Sequence, residues 1–367
     1  MIRFFIFLVS LSFFSCKKSE MKQETAVNFY VGTYTNGDSE GIYKCAIDKQ
    51  GVLSKVALVA KTKNPTFLVK SDDKKYLFAI AETNEDGVGF VKSFRIEKDV
   101  LKEISKEKSG GAGPCFITTN KNNYVLTANY GGGTIGLLKS DKSGKLSKLL
   151  AIQKHFGIGT TDRQKSPHAH STWFHPTKKE IISVDLGTNE LWFSSIDKTE
   201  NTLVPSKQSK LKMADGAGPR HLVFHPNKKW IYVLNELNNT ISLVKEDKKG
   251  YYIDSSIKTL PSDFTEFSKA ADIHVSKDGK FLYASNRGHE SIAIFKVNSK
   301  DGSLTTVGYE AVLGKHPRNF SLTPDNKFLL VANRDTNNIV SFKRDNNSGE
   351  LTYVSEISAP NPVCILF

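Results

Sequence analysis

The sequence lacks any apolar run long enough to cross a membrane as a helix, since no segment approaches about 18 consecutive apolar residues. It contains only four cysteines, with no Cys-x-x-Cys pair and no His/Cys cluster at metal-ligand spacing. Disorder is excluded as the main state, because 39% of the 367 residues are apolar and 24% are charged. We therefore expect a folded chain with a sizeable core and without a structural zinc site.

The N-terminus has the pattern of an export signal. A short basic start at residues 1–3 precedes an apolar run at residues 4–14, and Ser15 and Cys16 follow it. Residues 11–16, Leu-Ser-Phe-Phe-Ser-Cys, resemble a bacterial lipobox, although its two phenylalanines are looser than the usual residues. We expect residues 1–16 to be a signal peptide, Cys16 to be acylated, and residues 17–26 to be a tether; the alternative is a plain cleaved signal. The protein would then be an exported, periplasm-facing lipoprotein that contacts the membrane through this anchor alone.

Internal repetition is present in the rest of the chain. Seven segments share one pattern, in which an alternating apolar run ends in a polar pair, and a short turn leads to a second alternating run that ends near Asp. They begin at Asn28, Tyr76, Tyr124, Glu180, Trp230, Phe281 and Phe328. The last six starts are 48, 56, 50, 51 and 47 residues apart. Because the runs are β-branched or aromatic and the breaks are Asn, Gly and Asp, each segment predicts a hairpin.

A further strand precedes six of these hairpins, and the seventh copy lies at the opposite end of the chain. Residues 361–367 repeat the pattern of residues 64–69, and the hairpin they lack begins at Asn28. A unit split between the termini is what a closed ring needs, because the last strand then covers the edge of the first hairpin. With one more strand per unit, the sequence predicts an all-β, seven-bladed β-propeller of four-stranded blades over residues 27–367.

This topology predicts which residues face one mouth of the central channel. The start of each innermost strand and the end of each second strand lie on the same face of an antiparallel blade. The innermost strands open at Thr66, Cys115, His170, Arg220, Ala271, Arg318 and Val363. The second strands close at the pairs Thr33-Tyr34, Ala81-Glu82, Asn129-Tyr130, Asp185-Leu186, Asn235-Glu236, Asn286-Arg287 and Asn333-Arg334.

Arginine is the most informative residue type at this mouth. Arg220, Arg287, Arg318 and Arg334 come from three successive blades, and guanidinium groups suit a planar anion through paired hydrogen bonds. A salt bridge between blades is the alternative for each one taken singly. His168 and His170 flank one alanine in an extended segment, but no convergent carboxylate is identifiable, so we expect no metal.

Several stretches resemble a known family. GAGPRHLVFHP, YVLNELNNTIS, AADIHVSKDGKFLYASNRGHESIAIF, SPHAHS and ANYGGGT look like segments of the bacterial lactonases with a seven-bladed propeller. That family includes the 6-phosphogluconolactonase of this fold and is similar to the fungal 3-carboxymuconate lactonising enzyme. The resemblance covers residues 29–367 and departs at Phe116, where the family often has His.

The resemblance implies a hydrolase of sugar lactones, with 6-phospho-D-glucono-1,5-lactone as the substrate. Arginines would anchor the anionic substrate and stabilise the oxyanion while a base activates water. The resemblance implies a site that uses His168 or His170, Arg220, Glu236 and Arg287. We expect Glu236, His170, Arg220 and Arg287 to be catalytic. We expect the residues at or beside the predicted mouth positions to bind substrate, namely His168, His221, Arg318, Arg334 and Tyr130. Either Glu236 or His170 would be the base, and no cofactor is implied. Two alternatives stay open. One is a lactonase or cycloisomerase that acts on an unphosphorylated sugar lactone or a carboxymuconate-like acid, and the other is a non-catalytic binding propeller.

The formal charge of +13 by itself suggests an anionic macromolecule as partner. Many lysines, however, fall in turns that the topology places on the face opposite the mouth, among them Lys74, Lys142, Lys178 and Lys228. We therefore expect most of the net charge on that far face, and a small anionic molecule rather than nucleic acid as the partner.

Overall fold

A computed structural model describes Ile2 and residues 26–367 of the chain. Nearly all of the predicted signal peptide, Cys16 included, and nearly all of the predicted tether lie outside these residues. Within them, regular structure is β-strand apart from one 3-10 turn at Asp162–Gln164. No helix in the described part is long and apolar enough to cross a bilayer.

The strands form seven antiparallel sheets of four strands each, as predicted. In chain order the strands are β1 (Val27–Thr33), β2 (Gly41–Ile47), β3 (Leu53–Lys61), β4 (Leu68–Lys70), β5 (Tyr76–Glu85), β6 (Val88–Ile96), β7 (Leu101–Lys108), β8 (Pro114–Thr119), β9 (Tyr124–Asn129), β10 (Thr134–Lys139), β11 (Ala151–Lys154), β12 (Ala169–Phe174), β13 (Glu180–Asp185), β14 (Glu190–Asp197), β15 (Thr202–Lys212), β16 (Pro219–Phe224), β17 (Ile231–Asn235), β18 (Thr240–Asp247), β19 (Gly250–Lys258), β20 (Lys269–Val275), β21 (Phe281–Arg287), β22 (Ser291–Val297), β23 (Leu304–Ala311), β24 (Pro317–Leu322), β25 (Phe328–Asn333), β26 (Asn338–Arg344), β27 (Leu351–Ser358) and β28 (Pro362–Leu366).

The first blade closes the ring. Its strand order is β28-β1-β2-β3, so the C-terminal strand is the innermost strand of the blade that the N-terminal hairpin begins. Val31 lies opposite Ile365 in this antiparallel pair. The other six blades are continuous, from β4–β7 to β24–β27. This arrangement confirms the predicted split unit.

The core consists of seven apolar clusters, and each lies between two neighbouring blades. The cluster that joins the last blade to the first contains Phe29, Val31 and Leu330, all of them fully buried. Face-to-face packing of sheets buries alternate side chains from both faces. Each blade is therefore held by both its neighbours, and the inner ends of the strands are fixed around the channel.

A β-bulge near the start of most innermost strands sets the direction of the mouth residues. The register shifts between Pro114 and Phe116, between Ala169 and Ser171, between Pro219 and His221, and between Pro317 and Asn319. A bulge leaves one residue outside the ladder and redirects its side chain. The redirected residues are Cys115, His170, Arg220 and Arg318, four of the predicted strand openers.

The residue before each proline at these bulges needs an unusual backbone conformation. Gly218 has φ +62°, and a Cβ placed on it would lie 2.4 Å from Cγ of Leu237. Glycine is therefore favoured there by both conformation and space. This explains the Gly-Pro-Arg order that delivers Arg220 to the mouth.

The lysines lie in the predicted turns on the far face, but this face is not of one charge. Lys75 pairs with Asp73 at 3.7 Å, and Lys178 pairs with Glu246. Carboxylates in and beside the same turns therefore offset part of the lysine charge, and the share of the net charge on this face stays a prediction.

Candidate active site

A buried carboxylate lies among arginines at the mouth of the channel. Glu236 directly follows β17, and its Oε2 accepts hydrogen bonds from Arg220 Nε at 3.1 Å and from Arg287 at 3.0 Å. Its Oε1 lies 3.7 Å from Arg163. Burial would raise the pKa of Glu236, but Arg287, Arg220 and Arg163 outweigh it and lower the pKa to about 2. Glu236 is therefore ionised at neutral pH.

The two arginines that bond Glu236 are largely committed to the protein. Arg287 also donates to the carbonyl oxygens of Lys269 and Ala270, at 3.3 and 2.9 Å. Arg220 donates to the carbonyl oxygen of Ala271. Burial, and then the charges of Arg287 and Arg318, lower the pKa of Arg220 to about 9. The N–H groups of Arg220 and Arg287 thus hold Glu236 in place, and few of them remain for a ligand.

Arg318 differs from these two arginines. No hydrogen bond or ion pair is formed by its guanidinium within the described residues, and the group lies over the ring of Tyr34, 5.4 Å from the centroid. It lines a small cavity in the channel together with Arg220, His221, Cys115 and Thr66. Arg318 thus brings a full positive charge and unused donors to the mouth.

A second carboxylate lies beside Arg318, and sequence reasoning gave it no role. Glu82 accepts hydrogen bonds from Tyr34 Oη at 2.8 Å and from Thr66 Oγ1 at 2.5 Å. Burial raises the pKa of Tyr34 to about 12, so its hydroxyl is a donor at neutral pH. Glu82 and Thr66 are among the residues predicted to close and open strands at the mouth. Their positions in the blade did not indicate that Glu82 would accept hydrogen bonds from two hydroxyl groups.

The predicted histidine pair has two different environments. His168 stacks on Tyr130 at 4.3 Å, and its Nδ1 donates to the carbonyl oxygen of Tyr130 at 3.0 Å. His170 is buried, lies edge-on to Tyr130 at 5.4 Å, and has its Nδ1 3.7 Å from Cys115 Sγ. Burial, and then Arg220, hold the pKa of His170 well below 6.5, so it is neutral at pH 7. His170 therefore faces the site, and His168 supports Tyr130.

His221 is held by a buried aspartate that sequence reasoning missed. Its Nδ1 lies 2.9 Å from Asp272 Oδ1, while Asn319 Nδ2 donates to Asp272 Oδ2 at 2.5 Å. Asn319 Oδ1 in turn accepts from the backbone of Ile365 at 2.7 Å. Burial would raise the pKa of Asp272, but His274 and His221 lower it strongly. This chain of bonds links four innermost strands around the channel, so it mainly stabilises the closed ring of blades.

Two arginines lie at the outer edge of the site. Arg163, which sequence reasoning also missed, donates to Tyr130 Oη at 2.8 Å from the 3-10 turn. It lies in a long polar loop without a repeat pattern, so no sequence signal marked it. Arg334 does not join the central group, because its Nε donates to Asp335 at 2.6 Å and the side chain remains 32% exposed.

Two other kinds of site would change the chemistry of the mouth, a metal site and a serine nucleophile. No group of three or more His, Cys, Asp or Glu side chains there has the arrangement of a metal site. A Gly-x-Ser-x-Gly string occurs at residues 37–41, but Ser39 is buried, with its Oγ 2.6 Å from Thr33 Oγ1, in a turn between two strands. A nucleophile elbow requires a strand followed by a helix, so this serine is not one.

The chain is similar to known proteins over nearly its whole length. The profile of the family "Lactonase, 7-bladed beta-propeller" matches residues 28–367. A 6-phosphogluconolactonase from Bacillus subtilis is 37% identical over 345 residues, which cover 92% of this chain and 97% of that protein. The periplasmic gluconolactonase of Pseudomonas aeruginosa superposes with a TM-score of 0.88 at 27% identity, covering 93% and 98% of the two chains. A crystal structure from Bacteroides fragilis, provisionally named a 6-phosphogluconolactonase, has a TM-score of 0.87 at 34% identity, covering 94% and 98%.

Proposed function

The chain belongs to the lactonase family with a seven-bladed β-propeller and is a lactone-hydrolysing enzyme, and we propose that it opens 6-phospho-D-glucono-1,5-lactone at the site around Glu236. The observation that carries this proposal is the pairing of an ionised, arginine-held carboxylate with the unpartnered guanidinium of Arg318. One group accepts a proton and the other binds a developing negative charge. Lactone hydrolysis needs both.

Glu236 is the proposed general base. Oε2 is occupied by Arg220 and Arg287, whereas Oε1 has no hydrogen bond to another described residue and is available to a water molecule. The water oxygen forms a bond to the lactone carbonyl carbon as its proton passes to Oε1. With a pKa of about 2, the carboxylate is a weak base before substrate binds. An anionic substrate would compete for the same arginines and so raise its basicity.

Arg318 is the proposed oxyanion-stabilising group. Negative charge builds on the carbonyl oxygen as water adds, and a preorganised cation with free donors stabilises it without reorganisation. The intermediate collapses by breaking the bond between the carbonyl carbon and the ring oxygen, which takes the proton from Glu236. The product hydroxy acid then ionises, so each turnover releases one proton to solvent.

His170 is the alternative base. It is neutral and lies at the same mouth, but burial and Arg220 both oppose its protonation. A protonated His170 would add a positive charge beside arginines that already repel one another. This argues for Glu236 as the proton acceptor, with His170 as a binding residue.

The excess of guanidinium groups supports a phosphorylated substrate. Arg220, Arg287, Arg318 and Arg163 surround two carboxylates, Glu236 and Glu82, and an anionic ligand would balance this charge. The name of the Bacillus subtilis relative supports the same substrate.

A second candidate is the unphosphorylated glucono-1,5-lactone. The predicted export signal favours it, because phosphorylated sugars are cytoplasmic metabolites, and the Pseudomonas aeruginosa protein is named a periplasmic gluconolactonase.

We propose export with acylation at Cys16. Radiolabelled palmitate should label the wild-type protein in its host and should not label Cys16→Ser; equal labelling of both would contradict the anchor.

A substrate panel tests the proposal. Proton release in a pH-stat should exceed spontaneous opening with 6-phosphoglucono-1,5-lactone, and with the unphosphorylated lactone at a lower kcat/KM. Arg220→Ala should reduce the rate, because Glu236 then loses a hydrogen bond that holds it. If neither lactone opens faster than background while a carboxymuconolactone does, the proposed substrate is wrong.

A further inference from the structure

Arg163 is placed unlike the other arginines of the mouth. Its side chain is 44% exposed, whereas those of Arg220 and Arg287 are 3% and 9% exposed. Tyr130 Oη is its one hydrogen-bond partner among the described residues. Its distance of 3.7 Å to Glu236 is longer than a hydrogen bond. Most of its N–H groups therefore face solvent at the entrance.

The turn that carries Arg163 is firmly anchored. Gln164 is fully buried, and its Nε2 donates to the carbonyl oxygen of Leu186 at 2.8 Å and to Asn189 Oδ1 at 3.1 Å. At the start of the same loop, His155 bonds Asp185 at 2.7 Å and stacks on Trp192 at 4.1 Å. A fixed backbone lowers the entropy that the arginine side chain loses when it binds an anion.

Lys269 adds a second cation at this edge. Its Nζ lies over the ring of Phe267, 5.0 Å from the centroid, and it forms no ion pair with any described residue. The carbonyl oxygen of Lys269 accepts a hydrogen bond from Arg287 Nε at 3.3 Å, and Arg287 pairs with Glu236, whose Oε1 lies 3.7 Å from Arg163. Arg163 and Lys269 therefore both lie beside the Glu236–Arg287 pair, and burial, and then the charge of Arg163, lower the pKa of Lys269. The negative charge of Glu236 attracts both Arg163 and Lys269. Arg220 and Arg287 already balance that charge.

We propose that Arg163 and Lys269 form an outer anion subsite that binds the phosphate of the phosphorylated lactone and so decides between phosphorylated and unphosphorylated substrates. This inference rests on the proposed function, since it assigns one end of that substrate. A dianionic phosphate matches two cations at one edge of the mouth and would bond the free N–H groups of the guanidinium. Tyr130 Oη, which accepts a hydrogen bond from Arg163, would fix the direction of that group.

Product binding tests the subsite without turnover. Calorimetry would give the Kd of 6-phosphogluconate and of gluconate for the wild type, Arg163→Ala, Lys269→Met and the control Arg95→Ala, which removes an exposed arginine from β6, outside the mouth. The wild type should bind the phosphorylated acid at least about tenfold more tightly. Arg163→Ala should abolish most of that preference and change gluconate binding less than about threefold. Lys269→Met should reduce the preference in part, and Arg95→Ala should leave it unchanged.

Two results would overturn the subsite. One is a wild type that binds both acids equally. The other is an Arg163→Ala protein with unchanged melting temperature that loses affinity for both acids by the same factor, which would make Arg163 a positioning residue for Glu236. Failure of the proposed function gives a different result. The wild type would then open no lactone above background, yet bind 6-phosphogluconate in an Arg163-dependent way.

Discussion

Arg318 and Arg220 lie at the same mouth, but the structure predicts opposite consequences when each is replaced by methionine. Arg318→Met removes a guanidinium that has no hydrogen bond to the protein within the described residues. Loss of one oxyanion donor costs about 10²–10³ in kcat, or about 3–4 kcal/mol of transition-state stabilisation. The packing contact that is lost is the one with the ring of Tyr34, worth about 1 kcal/mol of stability.

Arg220→Met instead breaks a buried ion pair with Glu236. Removing one partner of such a pair costs about 3–5 kcal/mol. The unfolding entropy of a domain of this size is about 0.7 kcal/mol/K, from about 2 cal/mol/K per residue, so the melting temperature should fall by about 4–7 °C. For Arg318→Met the same conversion gives about 1 °C.

Proton release and thermal melting of the two variants provide the comparison. Arg318→Met should lose kcat and keep its melting temperature, whereas Arg220→Met should lose both. The reasoning would be refuted if Arg318→Met kept kcat within about threefold of the wild type, or if it melted as low as Arg220→Met.

Other predictions concern pH, stability and thiol chemistry. Because the pKa of Glu236 is about 2, kcat/KM for unphosphorylated gluconolactone should stay level from pH 7 down to about pH 5, and an acid limb near pH 6.5 in a pH–rate profile would contradict this carboxylate as base. The same low pKa means that Glu236 contributes stability above its unfolded pKa of about 4.5, and that this contribution is lost as pH falls through about 2, so Glu236→Gln should flatten urea-unfolding stability over that window. Asp272→Asn should destabilise the protein by about 1.5–3 kcal/mol in urea melts, because one of the two carboxylate oxygens becomes an amide nitrogen, which cannot accept the bond from His221 or from Asn319; a loss below about 1 kcal/mol would contradict the chain of bonds around the channel. Burial raises the thiol pKa of each cysteine in the described residues to about 12, so iodoacetamide at pH 8 should modify none of them before unfolding: Cys45, Cys115 and Cys364.

The fold could be predicted from the sequence because it repeats. A period of about 50 residues, the same turn residues at the same offsets and a split unit at the termini together define a closed ring. The repeat also predicted which residues face the mouth, since their position in the blade follows from strand direction. That is why the sequence alone was enough to group Arg220, Glu236 and Arg287 at one end of the channel.

The partners of these residues could not be predicted, because they come from different blades or from loops. Arg163 reaches the mouth from a turn that follows no repeat, and Asp272 bonds residues from two neighbouring blades. The different roles of Arg318 and Arg334 also depend on three-dimensional neighbours, since one has no bonded partner among the described residues and the other is paired with Asp335. The ion pairs of the far-face lysines were not predicted, because the lysines were considered without the carboxylates beside them.

The central claim is that Glu236 activates water for lactone opening, and Glu236→Gln tests it most directly. The substitution keeps the shape of the side chain and removes its charge, and Glu97→Gln, an exposed glutamate in a far-face turn, is the matched control. With 6-phosphoglucono-1,5-lactone in a pH-stat, we predict rates well above background for the wild type and Glu97→Gln, and a loss of about 10²–10⁴ in kcat for folded Glu236→Gln. A folded Glu236→Gln protein that opens the lactone as fast as the wild type would contradict the account.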